Sequence, residues 1–123
     1  MKNKILIIED EIDQIMVLKT RLEANGYKVI SATNGHDGLK TVEKERPNLI
    51  LLDIVMPGLN GYEVCKRLKS DDAYKKIPIV IVSASGEKQL EEKCNRVGVD
   101  GIIQKPYESE SMLRMMKDLL GKQ

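Results

Sequence analysis

Asp53 closes the apolar run Leu49-Ile50-Leu51-Leu52, where the chain turns into Ile54-Val55-Met56-Pro57-Gly58. Glu9-Asp10-Glu11 closes the earlier run Ile5-Leu6-Ile7-Ile8 in the same way. Acidic strand ends of this kind matter when the strands are parallel neighbours, because their carboxyl-end tips then share one crevice. Carboxylates crowded there repel one another and favour a divalent cation. Two further apolar runs end in complementary groups: Val80-Ile81-Val82 leads into the hydroxyl of Ser83, and Gly101-Ile102-Ile103-Gln104 into Lys105-Pro106. Four strand ends thus offer acids, a hydroxyl and an ammonium.

The elements that must bring these groups together are legible as an alternation. Short β-branched and Leu-rich runs alternate five times with longer amphipathic segments, the pattern of an α/β chain. Strands are predicted at 4 to 8, 28 to 32, 49 to 53, 78 to 82 and 100 to 104. The first, third and fourth are apolar almost throughout, as befits a parallel sheet covered by helices on both faces. Lys28-Val29-Ile30-Ser31-Ala32 is the weakest and reads as an edge strand. The helices carry apolar residues at three- and four-residue spacing. Ile12, Ile15, Met16 and Leu22 mark the first, closed by Asn25-Gly26, a left-handed stop signal. Leu39 and Val42 mark the second, which ends before Pro47; Val64, Cys65 and Leu68 mark the third. Leu90, Cys94 and Val97 mark the fourth, closed by Gly98, and Met112, Met115, Met116, Leu119 and Leu120 form a core stripe on the fifth. Right-handed crossovers allow a doubly wound, flavodoxin-like (βα)5 fold, a five-stranded parallel sheet in the order 2-1-3-4-5. In that order strands one and three meet at the switch point, with Glu9, Asp10 and Asp53 side by side.

Composition narrows the function classes. At 123 residues the chain has room for one domain, 1–123, with one substantial core. Twenty Lys and Arg nearly balance 19 Asp and Glu, and the formal charge of +1 gives no electrostatic footprint for nucleic acid or an anionic membrane. Cys65 and Cys94 have neither zinc-ligand nor redox spacing and read as free thiols of a reducing cytoplasm. The apolar stretch before Glu9 is too short for a signal peptide or a membrane span, so a cytoplasmic protein is expected.

The runs Ile5-Leu6-Ile7-Ile8-Glu9-Asp10-Glu11, Leu52-Asp53-Ile54-Val55-Met56-Pro57-Gly58-Leu59-Asn60-Gly61, Val82-Ser83-Ala84 and Lys105-Pro106, in this order and each at a strand end, resemble a response-regulator receiver domain from end to end. The resemblance implies that Asp53 accepts a phosphoryl group from a histidine of a sensor kinase or phosphotransfer protein. It also implies a requirement for Mg²⁺ or Mn²⁺, and signalling to a downstream target protein by a shape change. Asp10, Asp53 and the main-chain carbonyl of Val55 suffice as direct ligands for a hard octahedral cation, with Glu9 holding a metal-bound water. On the same resemblance Lys105 is expected to pair with Asp53 at rest and with a phosphoryl oxygen afterwards, Pro106 to take a cis bond, and Ser83 to donate its hydroxyl to the new phosphoryl oxygen. Such a chain is a switch rather than an enzyme, either a monomer or a dimer on phosphorylation, with its output surface on helix four, strand five and helix five.

Two positions depart from the family pattern. Ile102 stands where a Tyr or Phe usually rotates on activation, and Tyr107 is no obvious substitute. Val55, two residues past the acceptor, is apolar where polar residues are frequent, and implies a longer-lived phosphoryl group than Asn would give there, while the small Ser85, two past Ser83, pulls the other way. Glu11 and Asp13 are assigned to the N-terminus of the first helix and His36 to the solvated surface. Lys66, Arg67, Lys69, Lys75 and Lys76 are read as a solvated face, with nucleic-acid binding a distant second. A phosphorylation-independent adaptor would usually have lost the acceptor, the acids or the lysine. A haloacid-dehalogenase-type phosphatase wants a second Asp at the place of Val55. No glycine-rich phosphate loop follows any strand, which excludes the common nucleotide-binding readings.

Overall fold

The computed structural model describes residues 2–54, 58, 60–84 and 88–121. Strands and helices alternate as β1 Lys4–Ile8, α1 Ile12–Ala24, β2 Lys28–Ala32, α2 Gly35–Glu45, β3 Leu49–Leu52, α3 Gly61–Lys69, β4 Ile79–Ser83, α4 Lys88–Val97, β5 Gly101–Gln104 and α5 Ser109–Leu120. All strand pairs are parallel and the order is β2-β1-β3-β4-β5, with β2 at an edge as its composition predicts. The fold is therefore the flavodoxin-like doubly wound sheet expected from the sequence, with strand bounds within one residue of the predicted ones.

The pleat sorts the strand residues into two apolar layers. Leu6, Ile8, Ile50, Leu52, Ile79 and Ile81 pack on one face with Val42, Val64, Leu68 and Leu90 from α2, α3 and α4. Ile5, Ile7, Leu49, Leu51, Val80 and Val82 pack on the other with Leu18, Leu22, Met112 and Met116 from α1 and α5. The methionine stripe of α5 is thus core, and Cys65 and Cys94 are buried free thiols.

The first helix corrects the sequence reading. Its buried residues are Ile15, Leu18 and Leu22, whereas Ile12 and Met16 are 63% and 60% exposed. Apolar residues lie on two sides of α1, and both sets fit a helical period. Only packing against β1 and β3 selects the row containing Leu18.

The basic run also departs from expectation at Lys69. Its Nζ donates to Asp100 Oδ2 at 2.7 Å and to the carbonyls of Lys75 and Ile77, each at 3.1 Å. Asp100 Oδ2 also accepts from the amide of Ile79 at 2.8 Å. Lys69 is therefore not solvated: it ties the end of α3 to the amino ends of β4 and β5, at the opposite end of the sheet from the acids.

Candidate functional site

Hydrogen bonding continues one residue past the strands and fixes the side chains at their carboxyl ends. Ile8 lies opposite Leu52, and the amide of Asp53 donates to the Ile8 carbonyl at 3.0 Å. The amide of Glu9 donates to Ala32 O at 3.1 Å, and that of Lys105 to Ser83 O at 2.8 Å. Side chains alternate along a strand. Continuing that alternation puts Glu9, Asp53 and Lys105 on the face covered by α1 and α5, while Asp10 projects from the turn into α1.

Glycine lets α3 start beside this rim. A Cβ on Gly61 would lie 2.6 Å from the Asp53 carbonyl oxygen and 2.7 Å from Ile54 Cα. The amide of Gly61 donates to Ile54 O at 3.1 Å, and Asn60 caps the helix by accepting from the Glu63 amide at 3.0 Å. The sequence Asn60-Gly61 thus combines an N-cap with the only side chain small enough for that approach.

Glu9, Asp10 and Asp53 each offer a carboxylate oxygen, and these atoms all lie within 4.8 Å of one another. Burial pushes the Glu9 carboxyl above its ordinary range, and the hydrogen bond with and charge of Asp53 push it the same way, against the opposing pull of Lys105. Asp10 is raised chiefly by its hydrogen bond with Glu9. Hard oxygen donors crowded enough to raise the proton affinity of Glu9 and Asp10 suit a small divalent cation, so the residues present fit Mg²⁺ or Mn²⁺. Glu11 stands outside this group; its carboxylate accepts from Gln14 Nε2 at 2.8 Å.

Lys105 reaches the same rim across a cis bond to Pro106. Its Nζ donates to Glu9 Oε1 at 3.2 Å and to Gln14 Oε1. The sequence reading did not single out Gln14. The missing signal was Leu18: Gln14, Leu18 and Leu22 lie at four-residue intervals, so the inward row of α1 runs on to Gln14 at the rim. Ser83 is buried at the end of β4. His36 is exposed, and Ile102 packs partly buried on the α2, α3 and α4 layer. The Val55 carbonyl and most of the connection between 83 and 88 lie outside the described residues. No helix among the described residues is long and apolar enough to cross a membrane.

Comparison with known proteins agrees with this arrangement. A profile of the response regulator receiver domain matches residues 5–117. The protein PilH of Pseudomonas aeruginosa is 33% identical over 118 residues, covering 96% of this chain and 98% of its own. The polar-differentiation response regulator DivK of Brucella anthropi is 35% identical over 121 residues, covering 98% of each chain. The probable transcriptional regulator ycf27 of Cyanophora paradoxa is 35% identical over 119 residues, 97% of this chain, which spans only 48% of that relative's length. Among solved structures, the signal receiver domain of a signal transduction histidine kinase from Syntrophus aciditrophicus superposes with a TM-score of 0.91 at 30% identity, covering 98% of this chain and 91% of its own. With its sheet order, its acidic rim and its lysine on the fifth strand end, the chain belongs to the response regulator receiver domains of two-component signalling.

Proposed function

We propose that residues 1–123 form a phosphoacceptor switch in which Asp53 takes a phosphoryl group from a histidine of a sensor kinase or phosphotransfer protein. The convergence of the Glu9, Asp10 and Asp53 oxygens within 4.8 Å carries this reading, because a lone structural aspartate needs no such company. An Asp53 oxygen forms the new bond to phosphorus as the donor's N–P bond breaks, and the electron pair of that bond stays on the donor nitrogen. Such transfers ask the protein mainly for position and charge neutralisation. Glu9, Asp10, Asp53 and the carbonyl of Val55 would hold Mg²⁺ or Mn²⁺, Glu9 through a water. When bound, the cation supplies positive charge against the phosphoryl oxygens. Lys105 exchanges its contacts for a phosphoryl oxygen, and the Ser83 hydroxyl donates to another.

The phosphorylated chain then signals to a downstream protein through the surface of α4, β5 and α5, as a monomer or a phosphorylation-dependent dimer. It works as a switch in the cytoplasm, with neither nucleic acid nor membrane as its direct partner, and not as a turnover enzyme. Incubation with acetyl phosphate and Mg²⁺ followed by intact-protein mass spectrometry tests the acceptor. The expected result is one added phosphoryl group on the wild type and none on Asp53→Asn. An unmodified wild type, or equal modification of both, refutes the proposal.

A further inference from the structure

Gln14 stands at the rim as a two-way connector. Its Nε2 donates to Glu11 Oε2 at 2.8 Å, which fixes the orientation of the amide and aims Oε1 back at Lys105 Nζ. The same ammonium donates to Glu9 Oε1, and Glu9 is 4% exposed. Lys105 itself is half-buried. On the β1 and α1 side of the crevice the ammonium is thus held by one charged acceptor and one neutral one. A phosphoryl group on Asp53 needs that ammonium for itself.

We propose that Gln14 is a positioning residue that holds Lys105 in a resting place against Glu9 and so restrains phosphoryl transfer to Asp53. The inference rests on the phosphoacceptor reading of Asp53. Glu9 alone cannot be the regulating contact, since it belongs to the acidic group. Gln14 offers no metal-binding carboxylate and touches the ammonium from α1. Its amide oxygen is a neutral acceptor, strong enough to bias the lysine and weak enough to release it when three phosphoryl oxygens compete. Through this connector Glu11, which lies outside the acidic triad, would bear on the site by orienting the amide that orients the lysine.

Two readouts on the full chain test this. In the metal-free protein, with no phosphate donor, the Lys105 ammonium should give a resolved heteronuclear NMR signal at low temperature, because its protons are held in hydrogen bonds. Gln14→Met keeps side-chain length and helix propensity while removing the acceptor, and should broaden or shift that signal. Gln14→Glu restores an acceptor at the same reach and should preserve it. With acetyl phosphate and Mg²⁺, Gln14→Met should phosphorylate about fivefold faster than wild type, the effect of releasing one ordinary hydrogen bond; Gln14→Glu should show no acceleration.

A Lys105 signal indifferent to Gln14→Met overturns the inference, as does a rate that is unchanged or lowered in that variant while the wild type phosphorylates normally. A wild type that takes no phosphoryl group overturns the phosphoacceptor reading, and the restraint with it, even where the NMR contact is present.

Discussion

Glu9 and Asp10 work against the fold that displays them. Both carboxyls have pKa values raised in the folded chain, Glu9 by burial and by Asp53, Asp10 first by Glu9. The folded state therefore binds more protons than the unfolded state wherever the pH lies between each group's ordinary and raised values. That window opens at 3.8 for Asp10 and 4.5 for Glu9. The stability these groups contribute is complete below it and is lost as pH rises through their folded pKa values. Metal-free protein should accordingly lose stability as pH rises through the window, the reverse of a chain whose acids are held by salt bridges. Asp10→Asn should flatten this dependence, raise the neutral-pH melting temperature of the metal-free chain by about 1 to 3 °C, and abolish the further rise produced by Mg²⁺. Thermal melts at a series of pH values, with chelator and with Mg²⁺, check all three. A wild-type melting temperature that climbs steadily through the window would show that Lys105 outweighs burial at Glu9. These acids were legible in the sequence because each directly follows an apolar run. Gln14 was not, because a single amide on a helix acquires meaning only when the inward face of that helix is known.

At the scale of the elements, close approach decides what the sequence could show. All five strands could be read from β-branched and Leu-rich runs, and the helices α3 and α4 from their apolar spacing, since each presents one apolar stripe. The orientation of α1 could not, because Ile12, Met16 and Val17 make a second apolar row that packing leaves outside. Gly61 is the counterpart: the room it leaves beside the Asp53 carbonyl is a tertiary fact that no local pattern shows. Gly61→Ala must push α3 away from the end of β3. The expected cost is about 1 to 3 kcal/mol in urea unfolding, with slower phosphorylation because the acceptor's backbone moves. Gly26→Ala makes a useful contrast: among the described residues nothing lies within 4 Å of its added Cβ, and its positive φ of 88° is what resists the change, so phosphorylation should be untouched. At the other end of the sheet, Lys69→Met strips Asp100 and two carbonyls of a shared donor. A loss of about 1 to 3 kcal/mol is expected there, again by urea unfolding, with the phosphorylation rate unchanged. A wild-type unfolding curve from Lys69→Met would return that lysine to the solvated face assigned to it from sequence.

For the molecule as a whole, the question is how an event on one rim reaches a distant surface. The sheet separates two apolar layers, and α4 belongs to the one shared with α2 and α3. It is held there by Leu90 and Cys94, both buried, by partly buried Val97, and by Lys93 lying 5.6 Å from the ring centroid of Tyr62. Ile102 of β5 packs on the same layer. With an aliphatic residue at 102 there is no ring to rotate, so the proposed switch is expected to signal by a shift in the packing of α4 against β4 and β5, started by Ser83 at the end of β4. Local stability reports such a shift more sensitively than an average shape does. Amide hydrogen exchange on the phosphorylated chain should change in α4 and β5 while β1 and β3, buried on both faces, keep their protection. Ile102→Ala removes packing from the layer expected to carry the shift. It should speed exchange in α4 of the unphosphorylated chain and reduce the difference that phosphorylation makes. Should the exchange changes fall instead on α1 and α5, with α4 silent, the route would run through the opposite layer, and the output surface would have to be sought beside Gln14 rather than beside Ile102.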